Sequence, residues 1–128
     1  MERLYAGYVD AYKILVMIGY SHQQWGQVEA LSQTALRIPA NEADRAFFFY
    51  FFGAAALHSG DTTVAARAFE ECLKLDSEHV EALAGTCAIL KAAGREDVAQ
   101  PFVDRLNAER DKKDSSLPGP GTFRVKVF

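Results

Sequence analysis

The 128 residues are 49% hydrophobic and 24% charged, an ordinary globular balance for one domain or one short repeat array with a tail. The net charge of −3, with −5 in residues 1–106 and +2 in residues 107–128, offers no basic stripe of the kind a nucleic-acid partner requires. The longest apolar run, Ala46–Leu57, has twelve residues, too few for membrane insertion as a helix, which takes roughly 20.

At the amino terminus Arg3, Asp10 and Lys13 interrupt the apolar residues, so no secretory signal is expected. Tyr5, Tyr8, Tyr12 and Leu15 recur at helical spacing. Residues 1–11 therefore read as a leading segment continuous with the first helix. Its tyrosine stripe is expected to cap the first unit, with a dimer contact as the rival use. Residues 12–40 then read as two helices, with Leu15, Ile18 and Gly19 in the first, a stop at Gly26, and Val28, Leu31, Ala35 and Ile38 in the second.

Residues 41–77 repeat this plan. Asn41 can cap a helix whose first turn holds Asp44, and Gly60 can close it in the left-handed conformation. Asp61 or Thr62 can cap the next helix, where Val64, Ala65, Ala68, Phe69, Cys72 and Leu73 recur at helical intervals. Residues 78–107 follow with Leu83, Cys87 and Leu90, a stop at Gly94, then Val98, Phe102, Val103 and Leu106. Pro101 falls just past the first turn of that last helix, so a distortion or a late start is expected. Beyond it, residues 108–128 read as a polar linker and an extended tail. TFRVKVF alternates like a strand, either as a free end or as the occupant of a groove.

Gly26, Gly60 and Gly94 stand 34 residues apart, and Gly19, Gly53 and Cys87 keep the same interval. A mid-helix glycine costs about 1 kcal/mol relative to alanine, a cost expected where a neighbouring helix approaches closely. Phe49, Phe52-Gly53, Gly60-Asp61, Ala65, Phe69 and Cys72 in the second unit, and Leu83, Cys87, Gly94 and Ala99 in the third, resemble the tetratricopeptide (TPR) family, whose unit has 34 residues. The resemblance covers residues 12–107. It implies an all-α, right-handed solenoid of three helical hairpins, with an irregular carboxy-terminal tail and a concave groove lined by the first helix of each unit.

Carried onto this chain, that groove would hold Val16, Tyr20 and Gln23, then Phe47, Tyr50, Phe51, Ala54 and His58, then Glu81, Ala84, Ala88 and Lys91. Of the six consecutive rings in residues 47–52, Phe48, Phe49 and Phe52 are expected in the core, leaving Phe47, Tyr50 and Phe51 to the groove. Such a surface suits a protein or peptide partner with an apolar segment. The alternative is a homo-oligomeric scaffold burying the aromatic face against itself, so a homodimer and a heterodimer both stay open. TPR domains that grip chaperone tails use a basic carboxylate clamp; Val16, Tyr20, Phe51, Glu81 and Gly85 occupy the matching places, and the clamp is absent. Residues 19–29 resemble the opening repeat of type III secretion chaperones, which implies a cytoplasmic holder of apolar export substrates.

No catalytic constellation or cofactor motif is expected. His22, His58 and His79 fall at separate helix ends without metal-ligand spacing, and Cys72 and Cys87 occupy small-residue core positions. Cytoplasmic residence follows as the default.

Overall fold

The computed structural model describes residues 2–116, with side chains described from 7 to 112. Six helices follow one another: α1 (Glu2–Ser21), α2 (Trp25–Ala35), α3 (Glu42–His58), α4 (Thr62–Leu75), α5 (Val80–Ala92) and α6 (Glu96–Ser116). Consecutive helices pair as hairpins α1–α2, α3–α4 and α5–α6, and the hairpins join through α2 against α3 and α4 against α5. The first helices also meet in a row, α1 against α3 and α3 against α5. That row gives the stack an inner side.

Several boundaries follow from the capping chemistry read above. Asn41 accepts the Asp44 N–H at 2.8 Å, and Asp61 accepts the Val64 N–H at 3.1 Å, so each satisfies one orphan donor of its helix. Gly60 (φ +91°) and Gly94 (φ +75°) take the left-handed conformation past their helix ends, where a Cβ would be strained.

The first turn departs from this plan. Its left-handed residue is Gln23 (φ +60°), 37 residues before Gly60, while Gly26 lies inside the first turn of α2. The 34-residue glycine spacing therefore marks equivalent turns only between the second and third hairpins. Gly19 nevertheless serves the expected close approach, since a Cβ there would meet Val28 Cγ2 at 3.1 Å.

Two clusters make the core. Val9, Val16, Val28, Ala35, Phe48 and Ala55 form one between the first and second hairpins. Ala46, Ala54, Ala56, Ala65, Phe69, Cys72 and Ala82 form the other between the second and third. The Phe69 ring lies between two glycines: a Cβ on Gly53 would come within 2.9 Å of it, and one on Gly85 within 2.6 Å. Gly85 and Gly53 thus let α5 and α3 close on one ring.

Three expectations need correction. Only Phe48 of the expected core rings is fully buried; Phe49 and Phe52 are half-buried and line a cleft with Val64, Arg67 and Ala68 at the α3–α4 edge. Phe49 stands about 100° around the helix from Phe48 and Phe52 about 40° around on the same side, which turns both toward the edge. Second, α6 neither starts late nor stops at 107. It runs through Pro101, whose missing N–H would have bonded the carbonyl of Asp97 in the exposed first turn, and on through residues 108–116. Good helix formers and a Lys112–Glu109 pair at 3.2 Å sustain that extension. Third, the tyrosine stripe does not cap the first unit as one piece: Tyr12 is half-buried, while Tyr8 and Leu15 stand on the surface. The Tyr5 side chain and the strand-like TFRVKVF lie outside the described residues.

Candidate functional site

On the inner side, Tyr20 from α1, Ala43, Phe47, Tyr50 and Phe51 from α3, and His79 and Glu81 at the start of α5 line a cleft of about 480 Å³. Its walls exist because α3 presents positions 43, 47, 50, 51, 54 and 58 on one face at the helical interval. Two clefts of about 330 and 430 Å³ lie elsewhere, one between α3 and α4, the other among α4, α5 and α6. Of these three clefts the inner one gathers aromatic rings from α1 and α3 together with the imidazole of His79, the cap of α5.

Those rings lock one another in place. Tyr20 meets Phe51 edge-on at 5.2 Å between centroids and Trp25 at 5.1 Å. Phe51 packs against Phe47 at 4.7 Å and Tyr50 at 5.0 Å. Tyr50 reaches Phe69 of the core at 5.9 Å and His79 at 5.1 Å. Edge-on and tilted pairs of this kind add about 0.5–1.5 kcal/mol each beyond simple burial. The network leaves Phe47, Tyr50 and Phe51 half-buried, with part of each ring still facing the cleft.

Polar groups sit around this apolar floor. Lys13 donates to Asp44 Oδ1 at 2.8 Å, tying α1 to α3, with its ammonium 5.4 Å from the Phe47 ring. Tyr20 Oη lies 3.3 Å from His58 Nε2, and the His58 ring stacks on Trp25 at 4.1 Å. His79 Nδ1 accepts the Ala82 N–H at 3.1 Å as the N-cap of α5. The same nitrogen is 3.6 Å from the Glu81 carboxylate. Burial, then the neighbouring Tyr20, pushes the Tyr50 hydroxyl up to about 12, so it stays a neutral donor.

The groove residues expected from the sequence therefore divide. Tyr20, Phe47, Tyr50 and Phe51 come together at the cleft, and His58 joins them through Tyr20. Val16, at 0% exposure, belongs to the core, as does Ala54 at 5%, since flanking rings of α3 and the neighbouring helices cover them. Gln23 is an exposed turn residue, and Ala84, Ala88 and Lys91 lie along α5 away from the cleft lining. Ala43 and His79 were missed, along with Trp25 behind Tyr20. His79 carried a signal as a helix-start residue; Trp25 carried none beyond being an aromatic beside a turn.

Among the described residues, no group of three or more His, Cys, Asp or Glu is placed to hold a metal ion, and no helix is long and apolar enough to cross a membrane. Both cysteines are free and buried; burial raises the Cys72 thiol to about 12 and moves Cys87 upward too.

With this geometry set out, the chain is similar in fold to MamA, a TPR-containing protein of known crystal structure, at a TM-score of 0.73 and 18% identity. The fold is TPR-like. The match covers 84% of this chain and 61% of MamA, so the chain spans under two thirds of that protein's length. No family model matches the sequence, and no curated protein matches it.

Proposed function

We propose that the inner cleft binds an apolar segment of a partner protein, helical or extended, and that the chain acts as an adaptor or holder of that segment. One observation carries this reading: rings from α1 and α3 line an open cleft of about 480 Å³ while their edges are already fixed by one another. Preset aromatic anchors lose little side-chain freedom when a ligand arrives, which favours binding. Glu81, exposed at the α5 end of the cleft, favours a segment with a basic residue beside its apolar ones. The two unpaired cysteines fit a reducing compartment such as the cytoplasm. The narrower role of a type III secretion chaperone rests on the likeness of residues 19–29 alone, and the fold adds no support to it.

A displayed library of random twelve-residue peptides, panned on the immobilised protein, tests the reading. Enriched peptides should be apolar or aromatic with one basic residue, and should lose binding to the Phe47→Ala/Tyr50→Ala chain while its helical circular dichroism persists. Absence of any enriched peptide, or equal binding by that variant, would overturn the cleft assignment.

A further inference from the structure

The large hydrophobic side chains that stand exposed among the described residues all belong to α1: Tyr8 at 51%, Ile14 at 58%, Leu15 at 46%, Met17 at 52% and Ile18 at 50%. At 100° per residue, Gly7, Ala11, Ile14, Leu15 and Ile18 share the face opposite the buried Val9 and Val16. The two sides of α1 are thus apolar for different reasons. One belongs to the first core cluster; on the other, none of the described residues packs.

The outer face has a shape. Its amino-terminal half is hollow, because Gly7 and Ala11 are exposed and a Cβ on Gly7 would meet nothing within 4 Å. Its carboxy-terminal half is a ridge of Ile14, Leu15 and Ile18. A hollow followed by a ridge complements itself only when the second helix runs the other way. Placed antiparallel about a two-fold axis, Ile14 and Ile18 of one copy enter the Gly7–Ala11 hollow of its partner, and the reverse holds at once. A parallel pair would set ridge on ridge.

Charge and area agree with this occupant. From Gly7 to Ser21 the only charged residues are Asp10 and Lys13, and Lys13 is turned to Asp44 of the same chain. The face therefore carries no charge pattern that would select a charged partner. Half-exposed side chains of this size leave on the order of 100 Å² each, so Ile14, Leu15 and Ile18 supply about 300 Å² per copy and about 600 Å² per pair, with Tyr8 and Met17 on the two flanks as a rim, the size of a weak, reversible association rather than a permanent one. Gly7, Ala11 and the helix rims add to that area.

We propose that a second copy of this chain covers the outer face of α1 in a two-fold, antiparallel α1·α1 contact. Self-association thereby moves off the aromatic face of α3, whose rings line the inner cleft, and onto the opposite side of the first hairpin. The inference stands independently of what the cleft binds.

Light-scattering mass measurement of the full chain at about 100 µM tests it, because mass action favours the dimer at high protomer concentration. The wild-type protein is expected at twice the chain mass, and Ile14→Glu/Ile18→Glu at one chain mass with unchanged helical circular dichroism. Phe47→Ala/Tyr50→Ala should remain a dimer, which separates this surface from the cleft. Ile14→Lys and Ala11→Glu chains, each weakened alone, should pair when mixed, since the antiparallel register sets those positions face to face. A wild-type monomer, a dimer that survives the double glutamate change, or a lost dimer in the cleft variant would overturn the proposal. So would a failure of the mixed chains to pair.

Discussion

Ser32 and Phe69 occupy the same place in successive hairpins, each the eighth residue of its second helix, and both are fully buried. At the second joint α4 contributes the large group, and Gly53 and Gly85 of the adjoining helices make room for it. At the first joint the large ring comes from the other side, Phe48 of α3, and α2 contributes a small residue whose hydroxyl has no partner among the described residues. Equivalent helix pairs can thus be keyed from either side. The version keyed from α4 leaves no room for change in three helices, whereas the version keyed from α3 leaves an uncompensated polar atom.

That contrast can be broken most forcefully at Gly85. Gly85→Ala gains helix propensity but drives a methyl group to 2.6 Å from a ring that Gly53 already confines on its other side. A net loss of about 1–3 kcal/mol is expected from such overpacking. Gly26→Ala, where nothing lies within 4 Å, should show no loss, and urea denaturation of both variants decides whether the two joints differ as described. If Gly85→Ala matched Gly26→Ala, the clamp on Phe69 would be discarded.

Alkaline titration acts next, through Cys72 and Tyr50 at the second joint and in the same direction through Cys87 on α5. Burial holds the Cys72 thiol protonated up to about 12, against an ordinary 9.0. Below pH 9 the stabilisation is complete. Above it the unfolded chain loses its proton first, so stability falls as pH rises from 9 toward 12, by on the order of 1 kcal/mol at pH 10 from this group. Tyr50, raised from 10.0 to about 12, steepens the decline above pH 10. Denaturation midpoints at pH 8, 9 and 10 should be flat and then fall, and Cys72→Ala should remove the early part of the fall.

The smallest change concerns the first joint. Ser32→Ala removes a buried hydroxyl that has no hydrogen-bond partner and is expected to raise stability by about 1 kcal/mol. The same measurement showing a loss would mean that the hydroxyl is satisfied.

The sequence revealed the second and third hairpins well because their caps and turns are made by local chemistry. Asn41, Asp61, Gly60 and Gly94 each act on backbone groups within a few residues, and Ala65, Ala68, Phe69 and Cys72 follow the helical interval into the core. The first hairpin was misread in register because Gly26 sits 34 residues before Gly60 without closing a turn, and nothing local marks Gln23 as the left-handed residue. Tertiary packing decided the rest. Val16 and Ala54 share a helix face with the half-buried cleft rings Tyr20, Tyr50 and Phe51, and packing alone decides which of them reaches the cleft; Gly85 looks ordinary beside Cys87 until Phe69 is placed against it. For the cleft, the aromatic run announced Phe47, Tyr50 and Phe51, but His79 enters from α5 through a cap that no periodicity encodes.

Trp25 is the chain's sole tryptophan, and its indole lies flat on the imidazole of His58, where α1 ends, α2 begins and α3 ends. An indole so placed is a built-in optical gauge. Its emission depends on the charge and distance of the ring it rests upon, so any opening between the first two hairpins alters its brightness without an attached dye. The protein thus carries its own label at the seam where its first two hairpins meet.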